Sequence, residues 1–333
     1  MIAVIIVTYN SADVIRSCLE SLTRSKGEVV RVVVVDNAST DATVQTIREW
    51  AAERPGSFQE CPAHTPGPPM AQCTLVRSEV NLGFAGGVNL GIDAQMADPD
   101  CDLFWILNPD CEVEPTTAAA FRRCADASGR FALMGSRILY LEAPGLIQSD
   151  GGRVGRWTGL CRNINQGLGP EAASRPEVAS LDFISGASMV ASRHFIETVG
   201  LMRADYFLYY EEVEWAARRG SLPLVLCEQA IVHHHGGTAI GSGSVTRRAS
   251  PLSLYFNYRN RMRFVAHVRP WALPVAGMAS LARVVKLALQ RAWPEARAAL
   301  LGLFQLPAPE AVRSMFSAEA AEYAFGRSDQ HHL

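Results

Sequence analysis

Four short stretches of the 333-residue chain gather side chains that bind cations, approach anions or move protons. In LNPDCE, Asp110 and Glu112 follow the apolar run LFWIL, so carboxylates stand just past a strand, where Mg²⁺ or Mn²⁺ finds the oxygen ligands it prefers. Asp110 is the stronger candidate, although NPD is also ordinary turn chemistry. In YFLYYEEVEWAARRG, Glu211, Glu212 and Glu214 open a short helix. Neighbouring carboxylates there point in different directions, so one can enter a cleft as a general base while the next makes structural contacts. The plainer reading is that acidic residues favour a first helical turn. In IVHHHGG, His233, His234 and His235 alternate sides of an extended chain, so at most one or two reach a single ion; a polar strand end is the alternative. In NLGFAGGVNLG, Gly83, Gly86, Gly87 and Gly91 open a helix and let backbone N–H groups approach an anion or a flat base. Tight helix–sheet packing would use the same glycines, and the run is not GxGxxG.

These groups need a scaffold, and the first half supplies alternating elements. IAVIIV (2–7), VVRVVVV (29–35), CTLVR (73–77) and LFWIL (103–107) read as buried parallel strands. Between them Val14, Ile15, Cys18, Leu19 and Leu22 fall at helical spacing, Thr40 is placed to cap a helix carrying Val44, Ile47 and Trp50, and a further helix spans about 85–96. Polar residues collect just after the strands, at Thr8, Tyr9 and Asn10, at Asp36 and Asn37, and at Asn108 and Asp110. In open α/β sheets the ligand crevice lies at those carboxyl ends, which points to a nucleotide site. Residues 54–72, rich in Pro and Gly, read as a loop or insertion. The second half is less regular, with a hairpin expected at 150–155, a strand at 181–185 and a helix at 193–199.

Composition narrows the function. With 48% hydrophobic residues the chain can bury a large core, and a net charge of −2 supplies no global field for nucleic acid. Eight scattered cysteines make no CxxC pair, so reduced thiols and a cytoplasmic setting are expected. The opening MIAVIIVTYN lacks a basic n-region and a cleavage site and reads as a strand rather than a signal peptide. Towards the other end, the apolar run 271–282 meets Arg283 and Lys286 before a spanning length of about 20 residues, so no transmembrane helix is expected. From about 273 to 303 a helical pattern sets Arg283, Lys286, Arg291 and Arg297 among Leu, Val and Ala. Such a segment fits peripheral contact with the inner face of a cytoplasmic membrane, or packing on the catalytic domain or on a second copy in a homo-oligomer.

Taken in order, VIIVTYNS, VVVVDNASTD, NLGFAGGVNLGI, LNPDCE, FISGASM, FLYYEEVEWAARR, VHHHGG and YFNYRNRMRF resemble the family-2 glycosyltransferases of GT-A fold, especially their rhamnosyltransferase-like members. The resemblance covers about residues 1–265 and implies an α/β GT-A domain. Residues 1–112 would be its nucleotide-sugar half, 113–265 its acceptor-binding and catalytic half, and 266–333 a C-terminal helical extension. Position by position, it implies that Thr8, Asn10 and Asp36 hold the nucleoside and that Asn81, Phe84 and Asn89 line the same pocket. Asp110 stands at the metal-binding aspartate, with Asn108 replacing the first acidic position, and His234 matches the histidine offered to the metal or diphosphate. Glu212, one methylene longer than the usual Asp, falls at the catalytic base, with Glu211 the neighbouring alternative. Ser185, Ser188 and Trp215 resemble the acceptor-side wall, and Arg259 and Arg261 are candidates for a diphosphate or lipid contact or for plain helix-surface arginines.

The function so implied is metal-dependent transfer of one sugar, with inversion, from a nucleotide-diphosphate donor to a glycan or lipid-linked glycan in bacterial surface polysaccharide synthesis. L-rhamnose from dTDP-rhamnose is the leading donor. UDP-galactofuranose, UDP-hexose or a GDP-sugar, or a non-catalytic sugar-nucleotide-binding protein, are the alternatives. A sugar nucleotidyltransferase would need a basic Gly-rich loop near its first strand, and TYNSAD offers no Lys or Arg.

Overall fold

The computed structural model describes residues 1–54, 56–63, 71–235 and 248–326; most prolines of the 54–72 stretch, and Gly236 and Gly237 of the His run, lie outside them. In the first half β1 (Ile2–Thr8), α1 (Ile15–Thr23), β2 (Val30–Asn37), α2 (Thr43–Ala52), β3 (Phe58–Pro62), β4 (Cys73–Ser78), α3 (Gly83–Met96) and β5 (Leu103–Leu107) follow one another. Next come β6 (Cys111–Val113), α4 (Thr117–Ser128), β7 (Leu133–Tyr140), β8 (Ile147–Ser149), β9 (Gly152–Val154), β10 (Cys161–Asn163), β11 (Ser188–Ser192), α5 (Arg193–Val199), α6 (Glu211–Ala217) and β12 (Val225–His234). The chain then turns helical through α7 (Pro251–Val268), α8 (Leu273–Leu289), α9 (Trp293–Leu303), α10 (Glu310–Arg313) and α11 (Ala318–Phe325).

One mostly parallel sheet, ordered β3-β4-β2-β1-β5-β11-β7-β12-β6, crosses the molecule, with β8 added to β7. From β3 to β5 all neighbours are parallel, which requires the helical crossovers that bury both faces and explains the unbroken apolar strands. On one face Ile2, Val4 and Ile6 pack with Ile15, Leu19 and Ile47; on the other Ala3 and Ile5 pack with Val88, Ile92 and Trp215. Helix α3 sits unusually close: a Cβ on Gly91 would lie 2.4 Å from Ile5 Cγ2, and one on Gly87 would lie 2.6 Å from Val7 Cγ1. These glycines therefore serve helix–sheet packing rather than anion contact.

Several local expectations change. The 54–72 stretch contains β3, which pairs parallel with β4; as an edge strand it tolerates Pro62. Residues 181–185 make only a single bridge, Phe183 to Gly152, because the place between β5 and β7 is filled by β11. Leu181, Phe183 and Ile184 go instead into the core. The hairpin is wider than expected, β9 pairing with β10 across residues 155–160. Thr40 does not cap α2: its N–H donates to Asn10 Oδ1, while Asp41 accepts from the Thr43 N–H. The helical pattern of 273–303 breaks at Arg291, which takes a left-handed φ of 57°. Arg283 and Lys286 do not end α8, and the run Pro270–Leu289 is, among the described residues, the one helix long and apolar enough by length and composition to cross a membrane.

Candidate active site

The carboxyl ends of β1, β2 and β5 gather the residues expected to hold the nucleotide. Thr8 and Asp36 are fully buried, and the Thr8 hydroxyl donates to Asp36 Oδ1 at 3.1 Å. The other Asp36 oxygen accepts from the Ser39 N–H, while Asn10, at a left-handed φ of 51°, donates its own N–H to Ser39 Oγ at 2.9 Å. These bonds fix two loops against each other and form a walled edge above the strands. Asn37, one of the polar residues expected at the carboxyl end of β2, carries the wall onward: its amide donates to the Gly83 carbonyl and accepts from the Leu82 N–H. Asn81 closes the same turn by accepting from the Gly83 N–H at 2.9 Å. Asn89 departs from expectation, since both ends of its amide pair with the Met202 backbone and clamp α3 to the segment before α6.

At the end of β5 the chain turns through Asn108 and Asp110 and meets β12. His234 Nε2 lies 3.2 Å from Asp110 Oδ1 and 3.4 Å from the Asn108 amide nitrogen, while His234 Nδ1 lies 2.6 Å from Gln148 Oε1. Gln148 Oε1 accepts the Nδ1 proton, which leaves the Nε2 lone pair facing the Asp110 carboxylate. Two acceptors so close call for a proton or a cation between them. Burial works to raise the Asp110 carboxyl, and the hydrogen bond and charge of the His234 imidazole with a proton on Nε2 more than offset it, keeping Asp110 below the usual carboxylate range.

Asp110, Cys111 and His234 present ligand atoms within 4.8 Å of one another. Cys111 is the weak member: its buried Sγ donates to the Ala187 carbonyl, and burial with Asp110 nearby pushes the thiol well up. An oxygen-preferring divalent cation thus fits Asp110 and His234, with the thiol left protonated. His233 and His235 turn away to Glu114 and Glu142, as alternation along a strand requires. Glu112 pairs in register with His233, one place from the Asp110–His234 contact.

The Ala187 carbonyl also accepts from the Asn108 N–H at 3.0 Å, so the 185–187 loop lies against the metal turn. On its other side the loop meets α6: a Cβ built on Gly186 would stand 3.5 Å from the Phe84 ring and 4.0 Å from Glu212 Cγ. Asp110 and Glu212 therefore flank one short loop. Glu212 is partly buried, and burial pushes its carboxyl up to about 7. Glu211 is fully enclosed, with no hydrogen-bond partner for Oε2; burial first, then the Glu212 charge, raises it well above its ordinary value. Glu214 is structural, gripping Arg218 through both carboxylate oxygens.

Immediately before α6 the backbone is strained, with Phe207, Tyr209 and Tyr210 at φ of 62°, 69° and 71°. Gly83 accommodates this segment: a Cβ there would sit 2.4 Å from the Phe207 carbonyl, which accepts from the Phe84 N–H. From α7, the Asn260 amide nitrogen reaches the carbonyls of Tyr206, Leu208 and Tyr209 at 2.7, 2.7 and 3.0 Å.

Four expected site residues lie elsewhere. Trp215 is fully buried, its indole N–H donating to the Gly200 carbonyl and its ring packed on Phe195, one side of α6 away from the cleft. Ser188, on β11, is buried and accepts from the Trp105 indole; of the expected acceptor wall, the half-buried Ser185 remains on the 185–187 loop. Arg259 is buried and donates to the Ala324 and Tyr206 carbonyls, and Arg261 is buried against Ser280 and the Tyr258 ring. Both arginines join the helices to one another.

Residues 3–149 match the family model described as glycosyl transferase family 2. The low-salt glycan biosynthesis hexosyltransferase Agl10 of Haloferax volcanii is 24% identical over 264 residues, covering 78% of this chain and 74% of that protein. Among solved structures, S. aureus TarS 1–349 is similar with a TM-score of 0.52 at 14% identity, over 95% of this chain and 83% of that one. The mannosyltransferase PcManGT of Pyrobaculum calidifontis, in complex with GDP-Man and Mn²⁺, is similar with a TM-score of 0.51 at 17% identity, over 91% and 86%. Residues 3–149 are thus similar to the family 2 glycosyltransferase model, and the described residues have the mixed α/β architecture of the GT-A fold.

Proposed function

We propose that this chain transfers one hexose-type sugar, with inversion, from a nucleotide-diphosphate donor to a hydroxyl of a glycan or lipid-linked glycan, with Glu212 as the general base. The supporting observation is the difference between two carboxylates across the 185–187 loop. Glu212 is held near 7, poised to take a proton, while Asp110 stays ionised beside His234 and suited to a cation. The donor's base and ribose would lie against the Thr8–Asp36 wall, its diphosphate at the Asp110 turn and its anomeric carbon towards Gly186.

In the reaction so proposed, Glu212 takes the proton of the acceptor hydroxyl as that oxygen forms its bond to the anomeric carbon. The opposite carbon–oxygen bond breaks, and its electron pair leaves with the nucleoside diphosphate. A Mg²⁺ or Mn²⁺ ion bound by Asp110 and His234 would supply neutralisation of the diphosphate charge. Asn260 and Gly83 hold the strained backbone that aims Glu212, and burial beside Glu212 disfavours a second charge on Glu211.

L-rhamnose from dTDP-rhamnose is the leading donor, on the motif resemblance alone; the hexosyltransferase name of Agl10 and the GDP-Man bound by PcManGT support a wider hexose panel. The test is turnover of dTDP-rhamnose, UDP-hexoses, UDP-galactofuranose and GDP-mannose by wild type and Glu212→Gln, with and without Mn²⁺. Metal-dependent nucleotide release that Glu212→Gln abolishes is the expected result. Tight donor binding with neither hydrolysis nor transfer would instead favour a non-catalytic sugar-nucleotide-binding protein.

A further inference from the structure

Helix α8 is apolar on two opposite faces. One packs inward through Ala276, Ser280 and Val284, where Arg261 NH2 donates to the buried Ser280 hydroxyl at 2.6 Å. The other carries Val275, Met278, Leu281, Val285 and Leu289, all exposed, from 37% at Val275 to 80% at Leu289, and Trp271 stands 56% exposed in the turn just before the helix. The spacings of three, three, four and four from Val275 keep the five on a single stripe for the whole helix. Isolated exposed apolar residues are ordinary, but a continuous stripe of this length marks an interaction surface. A second large aromatic, Trp293, is 64% exposed just past the helix end, so indoles bracket the stripe. Between 269 and 297 the chain carries Arg269, Arg283, Lys286, Arg291 and Arg297 against Glu295 alone. Arg283, Lys286, Arg291 and Arg297 are exposed.

Amphipathic tryptophans favour the boundary between headgroups and acyl chains, and basic residues beside an apolar face are drawn to anionic lipid. The spanning alternative conflicts with the inward face. A helix crossing the bilayer would leave α7 and α9 and strip Arg261, buried and, among the described residues, with no acidic side chain bonded to it, of its Ser280 partner. We propose that α8 lies flat in the interface of an anionic lipid bilayer, its Val275-to-Leu289 stripe immersed and Trp271 and Trp293 seated among the headgroups. The assignment is independent of which sugar is moved, or whether one is.

Co-sedimentation of the full chain with phosphatidylcholine vesicles, with and without phosphatidylglycerol, tests it. Wild type is expected to bind the mixed vesicles, to bind phosphatidylcholine alone far less, and to be released by salt and by alkaline carbonate. Replacing Met278 and Val285 together by Asp should lower partitioning about tenfold or more without moving the melting temperature. Arg283→Glu with Lys286→Glu should erase the preference for phosphatidylglycerol. Tryptophan emission should shift to the blue on vesicle addition, less so in Trp271→Phe and in Trp293→Phe, a readout that stands even if the Asp pair unfolds the chain. Binding unchanged by the Asp pair in a folded protein overturns the proposal, as does an unshifted emission. Resistance to carbonate would make α8 a spanning helix. A lipid-free dimer that the Asp pair converts to monomer would make the occupant a second copy.

Discussion

The Asn260 amide nitrogen lies 2.7 Å from the Leu208 carbonyl, joining the middle of α7 to the strained turn that launches Glu212. The same nitrogen reaches the carbonyls of Tyr206 and Tyr209, so its two N–H groups are shared among three carbonyls of this segment. Asn260→Ala removes the side-chain donor to the buried Leu208 carbonyl, while the Tyr206 carbonyl keeps Arg259 and the Leu208 N–H, at a cost of about 1–3 kcal/mol. The melting temperature should fall, and kcat should fall further than donor KM rises, because Glu212 loses its aim while the Thr8–Asp36 wall stays intact. Equal kcat and equal stability in the mutant would remove Asn260 from this role.

Gln148 offers a comparable test on the metal side. It holds the Nδ1 face of His234, and such partners fix the tautomer of a ligating imidazole. Gln148→Leu should weaken Mn²⁺ activation about 10–100-fold. Asp110→Ala should remove most metal-dependent donor binding. Calorimetric titration of donor with and without Mn²⁺ checks both, and an unchanged metal requirement in Asp110→Ala would dismiss the site.

The strands, and the positions of Asp110 and Glu212 at the ends of their apolar or aromatic runs, were legible in the sequence for a physical reason. A strand buried on both faces must be apolar throughout, as IAVIIV and LFWIL are, and the functional side chains follow directly at its end. Asn260 and Gln148 were not legible. Each acts on chain 52 and 86 residues away, through one amide among many, and only the fold brings the partners together. Trp215 shows the converse error. The family resemblance placed it on the acceptor-side wall, yet its indole fills the core under α6 and pairs with Gly200. Arg261, expected at a diphosphate or lipid contact or on a helix surface, enters the core instead, where Ser280 and the Tyr258 ring hold it. The edge strand β3 escaped notice because half-exposed residues and Pro62 carry no burial pattern to read.

The pH dependence of turnover follows from Glu212. A base is active when deprotonated, so kcat/KM should rise with pH and level off above about 7, falling about tenfold per unit on the acid side. Glu212→Gln should remove this limb along with most of the activity. A profile already flat from pH 5.5 upward in wild type would place the base elsewhere.

Glu211 and Glu212 are neighbours with opposite expected assignments, one to stability and one to rate. Glu211 is raised well above 4.5 by burial, so the folded state keeps its proton while the unfolded chain releases it. Stability contributed by this group is therefore full below about pH 4.5 and declines as pH rises, by about 1.4 kcal/mol per unit, until the folded carboxyl itself ionises. Glu212 adds a similar decline that ends near 7. Above about pH 7, where the Glu212 contribution has ended, any decline that remains in wild type should be that of Glu211, and Glu211→Gln should not show it. In turnover the order reverses: Glu212→Gln should lower kcat by on the order of 10²-fold or more with donor Kd near wild type, and Glu211→Gln should change it little. Denaturant melts across pH and kcat measured on the same two variants separate the outcomes. Should Glu211→Gln be the crippling change while Glu212→Gln turns over normally, the base lies one residue earlier, and the neutral, enclosed state assigned to Glu211 is wrong.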